Sequence, residues 1–282
     1  MSRYEEFHVA GWADTELFAR SMRGDADPRG TVLISHGYGE HSGRHIKFME
    51  ALSRAGWDSI SFDHRGHGKS EGLRGLILRM KHMSRDIDTF VNRIRSEATG
   101  GPTLLYGHSA GAAAALRYAA EHEEKIDALV LSSVYLKNAE PVSPFLLASA
   151  RILNMVAPTL PLKPFDPSGI SRDPEVVEAY RSDPLVYSGS VRIRTGLELI
   201  GSYPLAIAAA PGITIPTLVL HGTADRIADP VAAKEMYDLL GSVNKELKLY
   251  DGFYHELHNE PEGEVVIDDI ISWLESVFPL KR

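Results

Sequence analysis

The 282-residue chain contains no cysteine. That excludes a disulfide scaffold, a thiolate nucleophile and cysteine-based zinc sites together. Basic residues are in deficit, with 30 Lys and Arg against 38 Asp and Glu and a net charge of −8. Such a surface repels phosphate backbones, so nucleic acid is not an expected partner. Long apolar runs are missing as well: no stretch approaches the about 18 consecutive apolar residues of a membrane span. The N-terminal stretch MSRYEEFHVAGW places Glu5 and Glu6 where a secretory signal carries its apolar core, so no export is expected. Internal repeats and low-complexity tracts are also absent. What remains is 44% hydrophobic and 24% charged, a mixture that can bury a sizeable core. The expectation is a soluble, cytoplasmic protein that can still touch a lipid surface.

The chain then alternates between two kinds of segment. Short β-branched and apolar runs read as strands buried on both faces: 31–36, 58–62, 103–107, 126–133, 217–222 and 246–250. Between them, helical spacing marks 44–55, 84–98, 110–121, 231–241 and 263–278, with Gly56 as the C-cap of the first. Strands alternating with helices of this length imply parallel βαβ units, hence an α/β domain with a mostly parallel sheet covered on both faces. Residues 137–213 break the rhythm with Pro141, Pro144, Pro158, Pro161, Pro164 and Pro167. Within them, 145–157 reads as an amphipathic helix. The expected organisation is a core of 1–136 and 214–282 with a helical cap, 137–213, inserted over one end of the sheet.

Residues 107–111 read Gly-His-Ser-Ala-Gly. A G-x-S-x-G pentapeptide alone is a weak signal, but here a buried-type strand ends at Gly107 and a helix-forming run starts after Ser109. That context is a nucleophile elbow, the strand-to-helix turn that lifts a serine hydroxyl clear of an α/β-hydrolase sheet. The Ala110 amide, at a helix N-terminus, is one natural half of an oxyanion hole. A serine hydroxyl needs a base held by a third group, and in this arrangement the order is Ser, acid, His. Asp225 follows strand 217–222 and His255 follows strand 246–250, both at the strand ends where parallel sheets build sites. Ser109, Asp225 and His255 are therefore the candidate catalytic residues. The glycine-rich loop His36–Arg44 supplies the second oxyanion donor, assigned to the Tyr38 amide.

With these residues in place, the chain resembles the monoacylglycerol lipase and lysophospholipase-like branch of the α/β-hydrolases from about residue 30 to 280. The matching stretches are HGYGEHSGRH (36–45), DHRGHGKSEG (63–72), GHSAG (107–111), SRDPEVVEAYRSDPLVY (171–187), HGTAD (221–225) and YHELHNEPE (254–262). The resemblance implies hydrolysis of monoacylglycerols through the triad and an acyl-enzyme, without metal or other cofactor. It also implies that Glu40, Arg44, Tyr180 and His258 hold the glycerol end of the substrate. A tunnel under the cap would take one acyl chain, and the cap helix can rest transiently on a lipid surface. Two departures stand out. Ala110 replaces the methionine the family often has there, and only its amide is needed. The cysteines of mammalian members are missing, which excludes thiol regulation.

Other readings compete. A broader carboxylesterase, lipase or lysophospholipase would use the same mechanism with another leaving group. A dehalogenase or epoxide hydrolase of this fold would need an aspartate at position 109. A dead relative that only binds would be expected to have lost part of the triad or the oxyanion glycines. His36, His41, His45, His64, His67, His255 and His258 invite a metal site, but they lie in glycine-rich loops without a matching set of further ligands. His64 and His67 are expected instead to fix a loop beneath the site, and Asp63 to be structural rather than the triad acid.

Overall fold

Every residue of the runs 31–35, 58–62, 103–108, 128–132 and 217–222 is buried, which is what a strand flanked by helices on both faces requires. The computed structural model describes residues 3–24, 28–97 and 101–280. Positions 1 and 2 of the N-terminal stretch, and position 98 at the expected end of the second helix, lie outside the described residues. In chain order come β1 (Arg3–Ala10), β2 (Glu16–Arg23), β3 (Thr31–Ser35), α1 (Ile46–Arg54), β4 (Asp58–Phe62), α2 (Met80–Ser96), β5 (Thr103–His108), α3 (Ala110–His122) and β6 (Ala128–Ser132). The excursion follows with α4 (Pro144–Leu153), β7 (Pro161–Pro164), α5 (Pro174–Ser182), β8 (Ser190–Arg192), α6 (Ile193–Ile200) and α7 (Ser202–Ala209). The chain closes with β9 (Thr217–Gly222), α8 (Pro230–Leu239), β10 (Lys245–Tyr250) and α9 (Gly263–Val277).

Among the described residues the main sheet has eight strands in the order β1-β2-β4-β3-β5-β6-β9-β10. β4, β3, β5, β6, β9 and β10 run parallel, the β1–β2 hairpin joins β4 antiparallel at one edge, and β7 and β8 form a separate antiparallel pair. Alternate strand residues feed two cores. Leu33, Leu105, Leu129, Leu131 and Val219 meet Ile87 and Phe90 of α2, the alanines of α3 and Met236 of α8 on one face. Val32, Ile34, Leu104, Tyr106, Val130 and Leu220 meet Phe48 and Leu52 of α1 and Ile270 and Trp273 of α9 on the other.

The interval 137–213 leaves the sheet after β6 and returns at β9. Its last part is seated on the core: Leu199, Ala206, Ala210 and Ile213 belong to the first cluster, and α7 packs against α3 and α8. α4 is seated far more lightly. Of its residues only Ala150 is buried, while Phe145 is 82% and Ile152 68% exposed. The helix ends at Leu153 rather than 157, residues 154–156 run on as a turn, and Pro158 disfavours helical backbone at Ala157.

Asp63, just beyond β4, ties the loops under the sheet's C-terminal end. Its Oδ1 accepts from the Ser42 amide (2.7 Å) and hydroxyl (2.5 Å), and its Oδ2 from the Lys69 amide (2.7 Å). His36, His64 and His67 pack ring to ring beside it. Burial works against the Asp63 charge, but His36 and these donors hold its pKa below the usual 3.8. Asp63→Asn is expected to lower unfolding stability by about 2–3 kcal/mol at neutral pH. Because the folded pKa is depressed, this contribution is full above the unfolded value of 3.8 and is lost as pH falls through the folded value. Urea unfolding of both proteins should therefore show the gap closing only in acid below that window.

Candidate active site

The turn from β5 into α3 holds Ser109 at φ 53° and ψ −119°, a conformation that side chains rarely adopt. The strain is held from two sides: the Ser109 amide donates to the Ser132 carbonyl (2.9 Å), and the Ser109 carbonyl accepts from the Tyr135 amide (3.2 Å). Ala110 opens α3, so its N–H has no intrahelical acceptor. The loop after β3 brings Gly37 and Tyr38 beside it, and Tyr38, Ser109 and Ala110 all line one cavity.

His255 Nε2 lies 2.7 Å from Ser109 Oγ, and its Nδ1 lies 2.7 Å from Asp225 Oδ2. With a carboxylate on Nδ1, that nitrogen carries the hydrogen and Nε2 accepts from the serine. Asp225 is fixed by four contacts: its Oδ1 accepts from the Ile227 (2.8 Å) and Ala228 (3.0 Å) amides, and its Oδ2 faces His255 and, at 3.1 Å, His221 Nε2. Burial alone would raise Asp225, yet the two imidazoles hold its carboxyl far below the usual range. For His255 the balance is reversed in sense. Burial lowers it, but Asp225, with Glu256 and Glu40 farther off, leaves its pKa raised above 6.5. The neighbouring His108 ring, 4.9 Å away, is pushed down to about 3 by burial. Such an arrangement can take a proton from the serine hydroxyl and give it to a leaving group.

The cavity measures about 440 Å³ and is walled mostly by apolar groups, including Leu146, Leu147, Ala150, Ile193, Leu199 and Ile227. α4, α5 and α6 supply one side of it, and the loops of the core supply the other. Its charged and polar lining includes Glu40, Tyr180 and Glu256, together with Glu140, Lys163, Asp166 and Arg226. Of the four residues expected to hold glycerol, Glu40 and Tyr180 reach the wall. Arg44 and His258 are not among the lining residues. Arg44 stands behind, with its guanidinium over the Tyr180 ring at 4.9 Å and its Nη2 donating to Glu256 Oε2 at 2.5 Å. His258 is buried, and its ring packs on His45 with centroids 4.9 Å apart. Sequence reasoning missed Glu256 and His221. A glutamate beside a histidine reads as a solvated charge, and nothing local announces a partner 212 residues away.

A profile of the Hydrolase_4 family, described as "Serine aminopeptidase, S33", matches residues 26–262. The monoacylglycerol lipase of Mycolicibacterium smegmatis is 37% identical, over 98% of each chain. The chain belongs to the monoacylglycerol lipase branch of the α/β-hydrolases. The human monoglyceride lipase is also 37% identical to this hydrolase, over 95% of this chain and 89% of its own. A solved structure of the Paleococcus ferrophilus monoacylglycerol lipase superposes with a TM-score of 0.83 at 34% identity, covering 93% of this chain and 99% of that one. Among the described residues no helix of this hydrolase is long and apolar enough to cross a membrane.

The two-sided pull on His255 gives a measurable consequence. Asp225→Asn removes the carboxylate that offsets burial, so the His255 pKa should fall from above 6.5 to below it. Titration of its imidazole protons by NMR checks this. An unchanged pKa would mean that Asp225 is not the charge that faces it.

Proposed function

We propose that this hydrolase cleaves monoacylglycerols to fatty acid and glycerol, with Ser109 as nucleophile, His255 as base and then acid, and Asp225 as the group that orients and stabilises the imidazolium. The observation that carries this reading is the hydrogen-bonded line from Asp225 through His255 to Ser109, opening into a cavity walled mostly by apolar groups. His255 Nε2 takes the Ser109 proton as Oγ attacks the ester carbonyl carbon. The oxyanion that forms is met by the amides of Tyr38 and Ala110. The C–O bond to the alcohol breaks as His255 returns the proton to the leaving oxygen, and a fatty acyl-Ser109 ester remains. Water then repeats the sequence and releases the acid.

The cap is the segment 137–213, and it holds the single acyl chain against the apolar wall. Glu40 and Tyr180 meet the glycerol hydroxyls, while Arg44 and His258 support them from behind. The exposed apolar side chains Phe145, Ile152, Met155 and Val156 favour a transient contact of the cap with a lipid surface. The names of its relatives, Mycolicibacterium and human enzymes among them, support the monoacylglycerol reading over the peptide-bond chemistry in the family description.

Fatty-acid release from monooleoylglycerol, trioleoylglycerol and a lysophosphatidylcholine, with Ser109→Ala as control, tests the proposal. Release from the monoglyceride should dominate and should fall by a factor on the order of 10⁴ or more in the variant. Equal turnover of all three would make this a general esterase or lysophospholipase. Since the base must be unprotonated, kcat/KM should rise with pH through a value above 6.5.

A further inference from the structure

Two buried carboxylates line the cavity with Tyr180, and Arg44, which contacts all three, is not itself among the lining residues. Glu256 is 3% exposed and Glu40 2%, and both line the wall with Tyr180. Arg44 is spent on its neighbours. It donates to Glu256 Oε2 at 2.5 Å, lies 3.7 Å from Glu40 Oε2 and covers the Tyr180 ring. Asn259 Nδ2 also donates to Glu256 Oε2, at 2.8 Å, which fixes the carboxylate further. The buried Tyr180 hydroxyl has no hydrogen-bond partner, and Glu40 Oε2, equally buried, has His45 Nε2 at 3.3 Å. The wall as a whole carries four acidic side chains, Glu40, Glu140, Asp166 and Glu256, against the cationic Lys163 and Arg226, with Arg44 behind it.

We infer that Glu256 determines leaving-group specificity: by capping Arg44 it makes the subsite accept neutral polyol alcohols, which bring hydroxyl donors, and reject anionic ones such as a glycerol phosphate. The inference rests on the ester-hydrolase reading above and extends it to a residue outside the expected set. A polyol brings O–H groups that the carboxylates of the wall accept. A phosphate would bring further negative charge beside two desolvated carboxylates, with the guanidinium of Arg44 already facing both of them. Glu256 also faces His255, together with Asp225, Glu40 and His108, so its charge bears on the base as well as on the alcohol.

Glu256→Gln keeps the size and an oxygen that accepts from Arg44, but frees one positive charge. The measurement is kcat/KM for two esters with one acyl chain, oleoylglycerol and oleoyl-lysophosphatidate, whose alcohols are glycerol and glycerol 3-phosphate. The ratio of the phosphorylated to the neutral ester should rise about tenfold or more in the variant. The rising limb of its pH profile should move to lower pH, because a carboxylate near His255 is gone. Arg44→Gln combined with Glu256→Gln should return the ratio toward that of the wild type. A ratio within about twofold of wild type, in a variant whose Ser109 still reacts with a fluorophosphonate, overturns the inference. Should Glu256→Gln not fold, protection of wild-type Ser109 from that reagent decides instead. Glycerol should slow labelling and glycerol 3-phosphate should not, and equal protection overturns the inference. If the wild type neither labels nor releases fatty acid from either ester, the hydrolase reading itself has failed.

Discussion

The site depends on how closely two stretches of backbone approach each other. A Cβ on Gly111 would stand 2.2 Å from the Ser35 carbonyl oxygen and 2.3 Å from that of His36, and one on Gly107 would stand 2.5 Å from Ala112 Cα. Only glycine fits at both places. This lets the start of α3 lie directly against the end of β3, so the amide that opens the helix and the loop that leaves the strand share one small volume. Ser109, the Ala110 amide and the Tyr38 loop are thus set in register by backbone packing alone. Their side chains are free to be chosen for chemistry.

Around that volume the titratable groups are sorted by burial and by what they face. His36 is pushed down to about 4, and His67 and His108 to about 3, by desolvation that no adjacent carboxylate outweighs. His255, equally buried, goes the other way because Asp225 is in hydrogen-bond contact with it. Several imidazoles crowd the loops, yet only one is both raised and within reach of a serine hydroxyl. The same principle orders the carboxylates: Asp63 is held by backbone amides and a serine, Asp225 by amides and imidazoles, and Glu256 by a guanidinium.

Much of this was legible in the sequence because parallel strands buried on both faces leave uninterrupted apolar runs. Strands 58–62 and 217–222 appear with the expected bounds, and the order serine, aspartate, histidine after successive strand ends located three residues that do meet. The β1–β2 hairpin was not foreseen. β1 is an edge strand whose exposed positions include Arg3, Tyr4, Glu6 and His8, and its inward side chains are only half buried, so it resembles a polar lead-in. The short helices α5 to α7 escaped for a different reason. Each has eight or nine residues, too few for helical periodicity to stand out among the prolines around them. Glu256 and Arg44 carry no local mark of their pairing, since a salt bridge between distant segments leaves no periodicity.

The light seating of α4 bears on how stability and turnover are related in this molecule. A helix that anchors itself by one buried alanine can lift from the cavity while both cores and the elbow stay intact. The free energy of that local opening is set by a few contacts at the rim, whereas global unfolding is set by the two faces of the sheet. The two quantities are governed by different residues. Reinforcing either core can therefore raise the melting temperature without stiffening α4 at the rim of the cavity, which loosens the usual conflict between robustness and activity.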